Sequence, residues 1–310
     1  MIFRHSGPLL SVLLFLSLVD DLPAKLRVAT YNVRNYLMTD RLVPGKPGDK
    51  LIWRKNYPKP EIEKTALRRI IAKVDPDILA LQEMGGAPYL KEFQRDLEHV
   101  EGVSYPHAAL MLGADEDRHV AVLSKIPFNQ VVQHKSLSHK YFGQNEIVRR
   151  GLLEVQFNTN GLDWSLFNLH LKSKWTERKD DPEASLKREG EATAVREFLK
   201  KKHPVSDGHP YLLVGDFNDT PNSKPLARIL RSGNNRLCRY IYCQDERGRI
   251  WSHYWRKGGL YSQIDYVCAS FGMLDLYKLP EGQWPSGNIE DSSDSMLASD
   301  HRMVWVDLPF

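Results

Sequence analysis

The segment YLLVGDFND, residues 211–219, joins an apolar run to a cluster of polar side chains. Its first part, residues 211–216, has the composition of a β-strand that is covered on both faces. The run ends at Asp216, and burying a carboxylate there is costly unless a cation or hydrogen-bond donors compensate its charge. Asp216 and the nearby Asn218 are therefore candidate site residues.

The same pattern, an apolar strand that ends in a residue able to bind a metal or transfer a proton, recurs along the chain. Six further candidates stand in such positions: Asn32 in LRVATYN, Glu83 in DILALQE, His170 in LFNLHLK, Asp265 in QIDYV, and Asp300 and His301 in LASDHR. Each alone could cap a turn, lie at the surface or be a satisfied core residue. Because strand ends place polar side chains in a cleft, their coincidence predicts one shared site.

The remaining pattern predicts a chain of strands with two long helices. Strands are expected at residues 26–32, 78–82, 120–124, 152–157, 165–171, 211–216, 264–269 and 303–308. Residues 61–74 and 185–202 have helical periodicity and are expected to cover a sheet. The polar stretches 38–60, 175–184 and 285–299 are either rim loops around a site or plain surface insertions.

The first 24 residues have the layout of a secretory signal. Arg4 and His5 precede an apolar run at residues 9–19, and Ala24 offers a small residue for cleavage. That run is shorter than the ~20 residues of a membrane-spanning helix, so an uncleaved N-terminal anchor is the alternative. We expect one domain at residues 25–310, with no transmembrane segment in the mature chain. The expected location is secreted, periplasmic or in the cell envelope.

Composition sets only broad limits. The chain has 310 residues, 42% of them hydrophobic, which is enough for a sizeable core, and its formal net charge of +4 would help to bind a polyanion. The three cysteines, Cys238, Cys243 and Cys268, are too few for a disulfide scaffold. A bridge between Cys238 and Cys243 and lone buried thiols remain alternatives. Neither cysteine spacing nor an HExxH string indicates a zinc site.

In order and context, these blocks resemble the endonuclease/exonuclease/phosphatase superfamily of deoxyribonuclease I-like metal-dependent phosphoesterases. The most specific blocks are GDFND at 215–219 and SDH at 299–301, supported by LQE at 81–83, NLHLK at 168–172 and IDY at 264–266. The resemblance spans nearly the whole mature chain. It implies an α/β fold, a four-layer sandwich in which two packed, mostly antiparallel β-sheets are flanked by helices, with the site at one end between the sheets.

The resemblance also implies a metal site. Glu83 would be the principal ligand of a divalent cation, with Asn32 and Asp300 near the same ion. Oxygen ligands of this kind suit Mg²⁺ or Mn²⁺ better than zinc, which favours thiolate and imidazole. Mg²⁺ is the expected cofactor, and Mn²⁺ is possible.

Five residues would carry the chemistry of phosphoester hydrolysis if the resemblance holds. Asp216 would orient or deprotonate the attacking water, and Asn218 would bind the phosphate or a second metal ion. Asp265 and His301 resemble the Asp-His pair of the family. His170 resembles the histidine that contacts the phosphate or assists the leaving oxygen.

Basic residues near these blocks are candidate substrate contacts, namely Arg34, Arg118, Arg150 and Lys172. The leading interpretation is a phosphodiesterase that acts on nucleic acid with low sequence specificity, without a stable protein partner. A lipid or small-molecule phosphoesterase, sphingomyelinase-like or inositol-phosphate phosphatase-like, is the alternative. Such an enzyme would be expected to expose an apolar hairpin at a membrane, and residues 38–60, rich in Lys, Pro and Gly, do not predict one. A noncatalytic binding protein is a minor alternative, which the intact motif residues oppose.

Overall fold

The computed structural model describes residues 25–43 and 52–310 and places the predicted strands in two large β-sheets. The predicted signal or anchor segment, residues 1–24, lies outside the described residues. The seven-stranded sheet consists, in spatial order, of β16 (Tyr242–Gln244), β20 (Ser286–Ile289), β21 (Val304–Leu308), β1 (Leu26–Tyr36), β4 (Ile78–Met84), β6 (His119–Ser124) and β5 (His107–Met111).

The second sheet has six strands and packs face to face on the first. It consists, in spatial order, of β15 (Cys238–Tyr240), β19 (Asp265–Ser270), β12 (Tyr211–Asp216), β11 (Leu162–His170), β10 (Leu152–Thr159) and β7 (Gln130–His134). Most neighbouring strands in both sheets run antiparallel, while β1–β4, β16–β20 and β11–β12 run parallel. Side chains from the inner faces of both sheets, such as Val28, Val122, Val155 and Val214, form one apolar core.

Helices cover the two outer faces, which explains why the strands are apolar on both sides. The helices are α1 (Glu61–Val74), α2 (Ala87–Glu101), α3 (Ser185–Lys202), α4 (Lys224–Leu230), α5 (Phe271–Asp275) and α6 (Ser295–Ala298), with a short 3₁₀ turn at Val205–Asp207. The α1 and α2 helices pack on the seven-stranded sheet, and α3 and α4 pack on the six-stranded sheet. The result is the expected four-layer α/β sandwich. Within the described residues, no helix combines the length and apolar character that a membrane crossing requires.

Four two-stranded hairpins complete the structure. They are β2 (Thr39–Val43) with β3 (Ile52–Tyr57), β8 (Ser138–Tyr141) with β9 (Gln144–Ile147), β13 (Arg231–Ser232) with β14 (Asn235–Arg236), and β17 (His253–Trp255) with β18 (Leu260–Ser262). The first corrects the expectation of a polar loop at residues 38–60. Its strands expose Leu42, Ile52 and Trp53, so this region does supply exposed apolar side chains, contrary to the sequence-based expectation.

The structure also shows the state of the three cysteines. Cys238 lies on β15 of the six-stranded sheet and Cys243 on β16 of the seven-stranded sheet. All three thiols are free and buried. The Cys238–Cys243 bridge is therefore wrong, and lone buried cysteines are confirmed.

Candidate active site

The predicted site residues meet where the ends of several central strands converge. In the six-stranded sheet, His170 at the end of β11 is paired in register with Asp216 at the end of β12. Asp216 is in turn paired with Asp265, which begins the antiparallel strand β19. From the other sheet, the Asn32 side chain donates a hydrogen bond to Asp216 Oδ2 at 3.0 Å. Two sheets thus contribute to one buried polar cluster.

Asp216 is the centre of this cluster. Its Oδ1 accepts a hydrogen bond from the Asn218 backbone at 2.8 Å, and its Oδ2 lies 3.5 Å from His170 Nε2 and 3.8 Å from His301 Nε2. Burial raises the pKa of Asp216 to about 7, with the nearby Asp265 acting in the same direction and His301 opposing. A carboxyl group with this pKa can accept a proton near neutral pH.

The pKa of His301 is raised as well, but for an imidazole this means that the charged form is favoured. Its Nδ1 lies 2.9 Å and 3.1 Å from the two carboxylate oxygens of Asp265. Burial alone would lower the pKa of His301, but the charges of Asp265 and Asp216 outweigh it and raise the pKa to about 10. His301 is therefore a protonated imidazolium held in place by Asp265.

Two serines fix this pair. Ser299 Oγ donates to the Asn32 carbonyl at 2.8 Å and accepts from the His301 backbone at 3.1 Å. Ser252 Oγ accepts from the Asp265 backbone at 3.0 Å. The segment before β21 is thereby tied to β1, and the start of β19 to the segment before β17.

His170 differs from His301 in its environment. It is buried, and burial together with the positive charges of Arg150, His301, Arg118 and Lys172 lowers its pKa well below the ordinary range. Its Nδ1 has no hydrogen-bond partner among the described residues. The site thus combines one neutral and one protonated histidine around a single carboxyl group, a separation of pKa values that is typical of acid-base chemistry.

The oxygen atoms that the sequence predicts as metal ligands lie on β1, near the end of β4 and just before β21. Glu83 Oε2 accepts a hydrogen bond from the Asn35 backbone at 2.8 Å, and Asn32 Oδ1 accepts from the Arg34 backbone at 2.9 Å. Glu83, Arg34 and Asn35 all have positive φ angles of 48° to 59° and lie where the pairing of β4 and β1 shifts its register, as at a β-bulge. Asp300 Oδ2 lies 3.4 Å from Arg34 Nε.

The donor chemistry of this set fits a hard divalent cation. Carboxylate and amide oxygens from Glu83, Asn32 and Asp300 are the ligand types that Mg²⁺ and Mn²⁺ prefer. Burial favours the neutral form of Asp300, but His301 and Arg34 outweigh it and lower the pKa, so Asp300 is ionised. Glu83 has one oxygen, Oε1, outside the hydrogen bond to Asn35.

A second set of donor atoms was not predicted as a metal site. One atom each from Asp216, Asp265 and His301 lies within 4.8 Å of the others. Here His301 Nδ1 is occupied by its hydrogen bond to Asp265 and the ring is protonated. With Nδ1 engaged by Asp265, Nε2, which lies 3.8 Å from Asp216 Oδ2, is the His301 ring atom that remains for a proton or a cation.

The four basic candidates fall into different environments. Arg118 and Lys172 are partly exposed and close enough to His170 to influence its pKa, and Arg34 pairs with Asp300. Arg150, by contrast, is buried, and its guanidinium donates to Asp115 Oδ2 at 2.8 Å. The structure therefore places Arg150 in the wall of the site, where it supports the Leu171 carbonyl at 3.4 Å, rather than at the substrate-facing surface.

Sequence reasoning missed a group of residues that join the two sheets beneath the site. Asn168 on β11 donates to the carbonyls of Leu81 and Ala121 on the other sheet at 3.0 Å and 2.9 Å, and accepts from Gln82 at 2.8 Å. A signal was present, because Asn168 and Gln82 stand inside apolar strands, where a polar side chain needs a partner.

Helix α3 also supports the site, which the sequence did not predict. Its Arg188 donates to Asp219 Oδ2 at 2.9 Å, and its buried Glu191 accepts from the Lys172 backbone at 2.7 Å. These contacts hold the loops after β12 and β11. The carboxylate of Asp219, the last residue of GDFND, is therefore paired with Arg188.

The β17–β18 hairpin borders the site through His253. The His253 ring lies 4.7 Å from that of His301, and the Tyr254 backbone donates to the Asp300 carbonyl at 2.8 Å. Burial and the His301 charge lower the pKa of His253 to about 4. Tyr261 stacks on Tyr254 at 4.5 Å and lies 4.7 Å from Trp251. Because successive side chains of a strand point to opposite faces, the Tyr254–Tyr261 pair lies on the face of the hairpin opposite to His253.

Comparisons with known proteins agree with this architecture. The sequence model of one protein family, described as the endonuclease/exonuclease/phosphatase family, matches residues 29–301 of this chain. No protein of curated function matches the chain by sequence. Among solved structures, sphingomyelinase C from Streptomyces griseocarneus is 17% identical with a TM-score of 0.59, and 92% of this chain and 99% of that chain are covered.

Two further structures show the same fold. A Staphylococcus aureus beta-toxin variant with bound magnesium ions is 14% identical, with a TM-score of 0.61 and coverage of 92% of this chain and 99% of that one. The human Nocturnin catalytic domain with bound sulfate is 15% identical, with a TM-score of 0.57 and coverage of 93% and 95%. At these identities, the likeness establishes the shared fold.

Proposed function

The chain belongs to the endonuclease/exonuclease/phosphatase family of metal-dependent phosphoric ester hydrolases, and from this premise we propose that it hydrolyses phosphodiesters, with nucleic acid as the substrate class. The observation that carries the proposal is the arrangement of Asp216 between a neutral His170 and a protonated His301. Such a site can activate water and stabilise an oxyanion at once.

Each group has a distinct task in this proposal. Asp216, with a pKa of about 7, accepts the proton of the attacking water. His301 directs its Nε2 proton towards the phosphate oxygens, while Asp265 keeps the ring oriented. Asn218, partly exposed beside Asp216, binds the phosphate in this proposal, while its side-chain nitrogen also donates to the Leu171 carbonyl at 3.0 Å. Glu83, Asn32 and Asp300 would hold the divalent cation, which supplies positive charge to the phosphate oxygens.

Diesters are favoured over monoesters on electrostatic grounds. A monoester dianion would bring a second negative charge next to Asp216, Asp265 and Asp300, whereas a diester carries only one. We expect bis(p-nitrophenyl) phosphate and plasmid DNA to be hydrolysed faster than p-nitrophenyl phosphate, in assays with purified protein and Mg²⁺ or Mn²⁺. A clear preference for the monoester would contradict the proposal.

Two features support nucleic acid as the substrate. Tyr261, which is 59% exposed on the β17–β18 hairpin, offers a flat surface on which a base can stack. Arg118 and Lys172 provide positive charge near His170 for backbone phosphates, which are read without sequence preference. Cleavage should accordingly depend little on base sequence and weaken as salt rises.

A lipid substrate is the second candidate, because the β2–β3 hairpin exposes Leu42, Ile52 and Trp53. Exposed apolar groups of this kind can enter a membrane interface. Sphingomyelin vesicles, DNA and RNA assayed side by side separate the two. Cleavage of sphingomyelin with DNA and RNA left intact would retain the phosphodiesterase activity and exclude the nuclease.

A further inference from the structure

A cavity of about 570 Å³ opens at the side of the sandwich, where the chain passes from β15 of one sheet to β16 of the other. The β13–β14 hairpin, Leu274 of α5 and the Trp284–Ser286 segment complete its walls. It is separate from the active site, because Arg239 on β15 pairs with Ala269, four residues along β19 from Asp265. At ~3.3 Å per residue, this is roughly 13 Å along the strand.

Three arginines line the cavity without an acidic neighbour. Arg231, Arg236 and Arg239 are lining residues, and neither Asp nor Glu is among the described residues that line it. Among the described residues, none of these three arginines forms an ion pair. The nearby Arg228 and Arg247, by contrast, have carboxylate partners. The cavity thus concentrates positive charge that the surrounding protein does not neutralise.

The backbone holds these charges in place. Arg231 and Arg236 are directly opposite in the β13–β14 hairpin, so both side chains lie on one face. The turn contains Gly233 at a φ of +61°, a conformation that favours glycine in tight hairpins. Like charges in directly opposite positions destabilise a hairpin, and a bound anion would relieve that repulsion.

The rest of the lining is apolar or aromatic. The Arg239 guanidinium lies 4.2 Å from the centre of the Trp284 ring, which keeps its planar face fixed. Leu230, Ile241 and Tyr242 provide apolar surface. A bare inorganic anion would leave this surface unused, and the volume is that of a site for a small organic ligand.

We propose that this cavity binds a small phosphorylated compound that has an aromatic or apolar part. The guanidinium groups of Arg231, Arg236 and Arg239 contact the phosphate, for which arginine has matching paired donors. The organic part lies against Trp284 and the apolar wall. Binding here requires neither the catalytic carboxylates nor a metal ion.

The test is a calorimetric titration of the full chain with phenyl phosphate. All proteins carry Asp216→Asn and are kept in EDTA, so that the catalytic centre neither turns over nor holds a cation. Arg236→Gln and Arg239→Gln should each weaken binding by about tenfold or more, since each removes a charge-assisted contact. Arg95→Gln on α2, whose partner is the adjacent Asp96, removes the same charge elsewhere and should change affinity by less than about twofold.

Each of these titrations can contradict the proposed site. Arg236 is exposed, so its replacement leaves the core intact, and a thermal melt verifies this. Absence of phenyl phosphate binding, or equal binding by the Arg236→Gln, Arg239→Gln and Arg95→Gln proteins, would overturn the site. Inorganic phosphate titrated in parallel should bind at least about tenfold more weakly. Equal affinity for the two would overturn the role given to the apolar wall.

Discussion

Burial acts on Asp216 and His170 in opposite directions, because each loses the hydration that favours its charged form. The carboxyl pKa rises and the imidazole pKa falls. His301 is equally buried, yet it remains protonated because Asp265 is in hydrogen-bond contact. Three groups of ordinary type thus acquire distinct roles from their surroundings.

Replacing the central carboxylate tests its role directly. We expect Asp216→Asn to lower kcat by ~10²-fold or more while KM changes much less, because the proton acceptor is lost and binding groups remain. Steady-state kinetics on bis(p-nitrophenyl) phosphate measures this. The exposed Asp163→Asn on β11 is the control and should retain its activity. Near-normal turnover of a folded Asp216→Asn protein, as judged by circular dichroism, would show that the role is misassigned.

Replacing Glu83 tests the proposed metal site. Glu83→Gln keeps the size of the side chain and an oxygen that can accept from the Asn35 backbone, so the fold should persist. We expect it to raise the Mg²⁺ or Mn²⁺ concentration for half-maximal activity by about tenfold or more, because an anionic ligand is lost. The wild-type protein should lose activity in EDTA and regain it with either ion. Full wild-type activity in EDTA would rule out this mechanism.

At the scale of elements, Glu154 on β10 ties an edge strand and a helix to the sheet. It is buried and lies 2.7 Å from His134 Nε2 on β7 and 3.1 Å from Lys202 Nζ at the end of α3. Burial would raise its pKa, but hydrogen bonds from His134, Gln156 and Lys202 outweigh it and lower the pKa to about 2. The carboxylate therefore stabilises the folded state at neutral pH.

The sign of this linkage gives a pH prediction. Because the folded pKa is below the ordinary value of 4.5, the stabilisation is present above about pH 4.5 and is lost as the pH falls towards 2. Glu154→Gln should lower the free energy of unfolding by about 2 kcal/mol at pH 7. Urea titrations at pH 7 and pH 3 measure the difference between wild type and variant, which should shrink at pH 3. A difference that is independent of pH would contradict the assignment.

The elements also show where local patterns are informative. Helix α1 has the predicted bounds because Pro60 precedes its first turn and Pro76 follows its end. Helix α2 was not predicted, although Leu90, Phe93 and Leu97 are buried at helical spacing. Gly86 and Pro88 resemble loop signals, but here they form the start of the helix, where both are tolerated.

For the whole molecule, we propose that the mature protein begins near Lys25 and is secreted or located in the envelope. The support is the charged start, the apolar run and Ala24 at the expected cleavage point. Strand β1 starts at Leu26, so cleavage after Ala24 would retain every described strand and helix. Mass spectrometry of protein from its native host should find this N-terminus. Met1 retained on a cytoplasmic protein would contradict both the signal and the location.

The sequence by itself determined the residue types at the strand ends, eight central strands, two of the three long helices and the family. These features depend on short-range periodicity and on motif order, which are readable along the chain. Only the tertiary structure decided the protonation states, because Asp216 meets Asn32 across 184 positions and His301 meets Asp265 across 36. The tertiary structure also revealed the Asn168 bridge between the sheets and the three-arginine cavity. Charge and hydrogen bonding act through space, and only folding sets the distances involved.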